Sequence, residues 1–215
     1  RESSWNVKCV VSKDGDRIQI RDVLPADSDA PIAGFALDLG TTSLAGLLVD
    51  LKSGKILAKA SGGNGQIRYG ADVINRIIES EKPGGRKRLQ DAVVQESILP
   101  LFTSMLHSAG IEARSVYRMV LAGNTTMNHL LLGLHSDPVR MEPFIPSFFH
   151  AGYLYTRNIG ITMNPLAELI VAPNIGSYVG GDITAGTFAS MIWNKPEMSL
   201  FIDLGTNGEL VFGNS

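Results

Sequence analysis

The chain has 215 residues, 44% of them hydrophobic and 19% charged, with a net charge of −2. That balance suits a globular protein with a sizeable core and excludes the strongly basic face of a bulk nucleic-acid or anionic-membrane binder. No apolar run reaches the roughly eighteen residues of a membrane span, no stretch resembles a signal peptide, and the single cysteine, Cys9, can form neither an internal disulfide nor an iron–sulfur cluster, which makes the cytoplasm the default location.

In chain order, Val7 to Ser12 and Arg17 to Val23 read as strands joined by a Lys13-Asp14-Gly15-Asp16 turn, followed by a linker from Leu24 to Pro31. Residues 1–31 are therefore expected to be the end of an upstream middle domain plus its linker. Ile32–Leu39, Ser43–Asp50 and Lys55–Ser61 predict a three-stranded meander. A glycine-rich loop leads to a helix over Ala71–Glu81, where Val73, Ile74, Ile77 and Ile78 recur at helical spacing. Arg86 to Ala109 carries one apolar stripe with Pro100 as a kink or break, and Arg86-Lys87-Arg88 reads as a solvated helix start.

Val116–Ala122 predicts a buried strand, Met127–Leu132 a short helix, and Leu169–Ala172 another strand. Residues 137–165 have no clear period and read as an insertion packed on the core, aromatic side chains included. Asp182 to Ile192 predicts a helix, with Asp182 as its N-cap. A last strand, Leu200–Leu204, leads into a hairpin partner at Glu209–Phe212. The sum is an α/β fold built on a mixed five-stranded sheet with flanking helices. It divides into a first subdomain over 32–198 and the start of a second over 199–215.

The most informative feature is a repeat. Asp38-Leu39-Gly40-Thr41 and Asp203-Leu204-Gly205-Thr206 lie 165 positions apart, each ending one apolar strand and opening another. Glycine lets backbone approach a ligand closely, and successive N–H groups make an anion nest. Gly40, Thr41 and Thr42 on one side, with Gly205, Thr206, Asn207 and Gly208 on the other, are the candidate phosphate contacts. Asp38 and Asp203 are the candidate catalytic and metal residues, because a carboxylate beside phosphate serves best by holding hydrated Mg²⁺. One such turn is an ordinary hairpin; two in matched contexts suggest paired half-sites. Asn124 and Thr125 follow a buried strand and precede a helix, so they could meet the ligand or act as helix caps. Asp182 could likewise face the cleft, while Gln66 and Arg68 could reach substrate, although a plain surface arginine is the simpler account of Arg68. His107, His129, His135 and His150 show no metal-ligand spacing.

Taken with Gln66–Ile77, Ala122–Leu130 and Pro173–Asp182, the two turns resemble the phosphate motifs of the actin, sugar kinase and heat-shock chaperone superfamily. Within it they are similar to the C-terminal ATPase region of reductive activators of corrinoid proteins, across about residues 32 to 215. The resemblance implies an RNase H-like fold with ATP and Mg²⁺ as ligands. It further implies an ATP-dependent one-electron reduction of inactive Co(II) corrinoid to Co(I). The 2Fe–2S cluster of such activators would belong to an upstream ferredoxin-like domain absent from this chain. The expected partners are a nucleotide and a corrinoid protein in the full-length context, with a homodimer as an option; neither nucleic acid nor membrane is expected. The chain reads as a fragment, complete in its first half only, so weak or absent ATP binding in isolation is expected. Two other readings stand beside this one: a small-molecule kinase acting on a sugar or acyl group, and a non-catalytic actin-like scaffold or docking module.

Overall fold

The computed structural model describes residues 6–215 and begins with the predicted hairpin. Strands β1 (Val7–Asp14) and β2 (Arg17–Pro25) pair antiparallel across a turn in which Gly15 takes φ 56°, a left-handed conformation that glycine adopts without strain. The hairpin forms its own two-stranded sheet, but polar contacts bind it to the body. Arg21 and Arg118 both engage the Glu168 carboxylate. The Asp22 carboxylate accepts from the Tyr117 hydroxyl at 3.0 Å and from the Asn164 amide at 3.1 Å.

The central sheet starts with the predicted meander, β3 (Ala33–Leu39), β4 (Ser43–Asp50) and β5 (Ile56–Gly63). Alternation drives it: Phe35, Leu37 and Leu39 of β3, with Leu44 and Leu48 of β4, are buried on one face. A helical layer covers that face. Asp72 caps α1 (Val73–Ser80) by accepting from the Asn75 amide at 2.8 Å. The predicted long helix is divided into α2 (Gly85–Val93) and α3 (Leu99–Ala109) by a π-helical turn over Val94–Ile98. Pro100 lies just after that turn; its missing N–H and its ring disfavour a regular bond to the carbonyl four residues earlier, Glu96, which lies inside the π-helical turn, so the expected break is centred just before the proline.

Strand β6 (Val116–Gly123) runs parallel to β3, with Asp38 opposite Ala122 and Leu39 opposite Gly123. Helix α4 (Thr125–Leu132) follows at once. The 137–165 segment is more ordered than its lack of period suggests. It holds two short 3₁₀ turns and β7 (Leu154–Tyr155), and it sends Ile159, Ile161 and Met163 into the core. Phe148 packs there too and stacks on His129 at 4.8 Å, whereas Phe144, Phe149 and Tyr153 stay exposed.

With β8 (Glu168–Val171) the sheet has the order β5-β4-β3-β6-β8-β7. This is one strand more than the five expected; β7 is the sixth, too short for its alternation to be visible. Helix α5 (Gly181–Ser190) lies over the opposite face, where it borders an apolar groove of about 920 Å³ lined by small residues such as Ala36, Ala45, Ala122 and Ala185. Its N-cap is Gly180, not Asp182, because the backbone turns into the helix two residues earlier than the carboxylate suggested. The chain closes with a separate hairpin of β9 (Ser199–Leu204) and β10 (Gly208–Gly213). Among the described residues, no helix is long and apolar enough to cross a membrane.

Candidate functional site

β3 and β6 end side by side, and each gives way to a turn at the same edge of the sheet, where open α/β sheets place their ligands. The β3–β4 turn is tight. A Cβ on Gly40 would lie 2.5 Å from the Ser43 carbonyl oxygen, so only glycine lets the chain reverse there. Asn64 fixes the turn from behind. It is 2% exposed, its amide donates to the Gly40 carbonyl at 2.9 Å, and its backbone N–H donates to the Thr42 carbonyl at 2.9 Å. From the β6 side, Asn124 caps α4 by accepting from the Met127 amide at 2.9 Å and donates to the Thr41 hydroxyl oxygen at 3.0 Å.

The second turn approaches from the β9–β10 hairpin, which is seated by two contacts. Phe201 packs so closely over Gly186 of α5 that a Cβ there would fall 2.4 Å from the ring. The Thr42 and Thr206 hydroxyls share a hydrogen bond of 3.0 Å. The two Asp-Leu-Gly-Thr turns thus face each other across one cavity of about 240 Å³. Asp38, Gly40, Thr41, Thr42, Asn124, Asp203, Gly205, Thr206 and Asn207 line it. Two expected residues do not. Thr125 is fully buried, and its hydroxyl donates to the Gly176 carbonyl at 2.5 Å, tying α4 to the segment before α5. Gly208 begins β10 outside the lining. Gln66 is buried, donating to the Leu89 carbonyl at 2.8 Å, and Arg68 is an exposed partner of Glu96.

Two carboxylates join the site that the repeat did not single out as its members, Asp182 and Glu209. Asp182 arrives through packing. Cβ atoms on Gly180 and Gly181 would meet the Thr125 amide nitrogen at 2.4 Å and the Ala172 carbonyl oxygen at 2.5 Å. Glycine at both positions lets the first turn of α5 sit against α4 and β8. Glu209 was legible in principle, since hairpin pairing sets it directly opposite Asp203 and like charges so placed repel.

The cavity is strongly anionic. Among the described residues no lysine or arginine lines it, while Asp38, Asp182, Asp203 and Glu209 do. Asp38 opens to solvent, yet surrounding protein raises its pKa first, and the Asp182 and Asp203 charges raise it further. Desolvation raises that of Asp182, with Asp203 adding to it, although the Ile183 amide pulls the other way. Glu209 is raised by desolvation and then by Asp182 and Asp203. Such a cavity can take a phosphate only together with a cation. Among the described residues, no three His, Cys, Asp or Glu side chains converge to ligate an ion directly. Single carboxylates such as Asp38 and Asp203 could hold a cation through its waters, as hydrated Mg²⁺ is held, since it keeps several waters and takes one or two carboxylates.

The architecture has known relatives. A family model described as the RACo middle region matches residues 33–195. The chain belongs to this family. It is 35% identical over 198 residues to the corrinoid activation enzyme RamQ of Eubacterium limosum, a match covering 91% of this chain and 33% of that one. A solved reductive activator for a corrinoid, iron–sulfur protein superposes with a TM-score of 0.94 at 37% identity, over 100% of this chain and 34% of the other. The chain thus spans about a third of the length of these relatives. The resemblance stated from the sequence motifs is borne out, as is the fold it implied: this RACo middle region has the actin-like ATPase type of architecture.

Proposed function

We propose that the cleft between the two Asp-Leu-Gly-Thr turns binds the phosphate tail of Mg-ATP, within a longer protein that reductively activates a corrinoid protein. The observation that carries this reading is the convergence of both turns on one cavity, bridged by the Thr42–Thr206 hydrogen bond. Backbone N–H groups at the two glycine turns would hold phosphate oxygens, with threonine hydroxyls adding donors. Asp38 and Asp203 would hold magnesium through its waters, and the metal would neutralise charge on the phosphates. Asp182 and Glu209 border the same space and would orient an attacking water. Water would attack the γ-phosphorus, the β–γ bridging bond would break, and ADP, phosphate and a proton would leave.

Among the described residues no aromatic ring lines the cavity on which a nucleobase could stack, so grip on the nucleoside is assigned to other parts of the full-length protein. There, hydrolysis would be coupled to domain closure. One electron would pass from a reduced 2Fe–2S cluster of a ferredoxin-like domain to Co(II), giving Co(I). Names of the two relatives support the corrinoid partner, and the acidic cleft supports the metal nucleotide.

Isothermal titration of Mg-ATP into this chain and into the full-length protein tests the proposal. Saturable, magnesium-dependent binding in the full-length protein and weak or absent binding in the isolated chain are expected. Micromolar or tighter binding by the chain alone would contradict the division of the site. Phosphate transfer to a sugar or acyl acceptor would favour a kinase instead, and assembly without turnover a scaffold.

A further inference from the structure

Among the described residues, the most deeply buried charge lies outside the cleft. Arg76 of α1 has 0% exposure, and among the described residues no carboxylate forms an ion pair with it. Its Nε donates to the Gly70 carbonyl at 2.9 Å, and its Nη1 donates to the Gln66 side-chain oxygen at 3.3 Å and to the Met127 sulfur at 3.3 Å. Nη2 is buried with no hydrogen-bond partner. Burial pushes its pKa down to about 10, against the pull of the Asp72 charge. A guanidinium held this way costs several kcal/mol of desolvation, and an apolar side chain of similar volume would fill the space more cheaply. Packing alone therefore does not account for an arginine at this position.

Its contacts lead to the first phosphate turn by two routes. Gln66, held by Arg76, donates its backbone N–H to the Asn64 side-chain oxygen at 3.0 Å, and the Asn64 amide reaches the Gly40 carbonyl at 2.9 Å. Met127, touched by both Arg76 and Asn64 through its sulfur, donates its own N–H to Asn124, which bonds Thr41. Both routes end on the residues meant to hold phosphate.

We propose that Arg76 is a positioning residue, which sets the conformation of the Gly40–Thr42 turn for nucleotide phosphate through Gln66–Asn64 and Met127–Asn124. The inference rests on the phosphate reading of the cleft. It differs from the remainder of that reading in assigning a role to a residue that touches no ligand.

The test compares Arg76→Met, Asn64→Ala and the double variant in the full-length protein. The readouts are hydrogen exchange across residues 38–43, melting temperature, and the KM and kcat of Mg-ATP hydrolysis. Loss of one relay bond predicts about a ten-fold rise in KM with kcat within about two-fold. It also predicts faster exchange at 38–43 than the change in melting temperature explains. The double variant is expected to fall clearly short of the sum of the two single effects, since both substitutions act on the Gln66–Asn64 route. Should Arg76→Met not fold, Gln66→Leu, which leaves the arginine in place, is expected to show the same KM and exchange pattern. A folded Arg76→Met or Gln66→Leu protein with unchanged KM and unchanged exchange at 38–43 would overturn the inference, as would additive effects in the double variant. Absence of Mg-ATP hydrolysis by the unsubstituted protein would instead count against the proposed function, and the exchange measurement would still decide the relay.

Discussion

The two Asp-Leu-Gly-Thr turns share a tetrapeptide and little else. Around the first, Gly40 is confined by Ser43, Thr41 is 5% exposed, and Asn64 and Asn124 hold the backbone and hydroxyl. Around the second, Leu204 is 84% exposed and the nearest atom to a Cβ on Gly205 is 3.9 Å away. The cross-strand neighbours differ as well. Asp38 pairs with Ala45, whereas Asp203 pairs with Glu209. Identical local sequence specifies the same reversal of chain; the surroundings decide whether that turn is rigid. In this molecule the first turn is a fixed template, and the second is an acidic, lightly held arm laid against it.

Substitutions should separate the two turns most sharply at their glycines. Gly40→Ala forces a methyl group into backbone and is expected to destabilise by about 1–3 kcal/mol, read as a lower melting temperature. Gly205→Ala, with open space, should stay within about 0.5 kcal/mol. The next largest contrast is between asparagines. Asn64→Ala leaves the Gly40 carbonyl and the Gln66 amide without their side-chain partner and should cost about 1–3 kcal/mol by denaturant unfolding, while the exposed Asn207→Ala should again stay within about 0.5 kcal/mol.

The electrostatic contrast is smaller and depends on pH. Asp38, Asp182 and Glu209 have folded pKa values above their ordinary ones. The folded state therefore binds protons more readily than the unfolded chain, and stability falls as pH rises through the raised values. The penalty is fully present above them and disappears below the ordinary values of 3.8 for aspartate and 4.5 for glutamate. Melting temperature at neutral pH should rise on mild acidification, on adding Mg²⁺, and in Asp38→Asn, with the acid effect reduced in that variant. Glu209→Gln should give the smallest gain, by removing the like charge opposite Asp203. A melting temperature unmoved by pH, magnesium and both substitutions would remove the electrostatic part of the comparison.

Much of this was legible before the structure. The meander follows from alternation in Phe35-Ala36-Leu37 and Leu44-Ala45-Gly46, α1 from its apolar spacing, and the paired turns from the repeat itself. Less legible were features that arise only in three dimensions. Asp182 reads as a helix cap until Gly180 and Gly181 are seen packed against α4 and β8. Thr125 reads as a ligand contact until its hydroxyl is found on Gly176. Strand β7 has two residues, too few to alternate, and Arg76 looks like one more helical arginine until the layer above it closes.

The central claim is that both turns grip one metal nucleotide, and titration of Mg-ATP into full-length protein carrying Asp38→Asn or Asp203→Asn tests it most directly. Each substitution is expected to weaken magnesium-dependent binding by at least about ten-fold, with the melting temperature held or raised. Unchanged affinity in Asp203→Asn would show that the second turn is only a hairpin, and the paired half-sites would be contradicted.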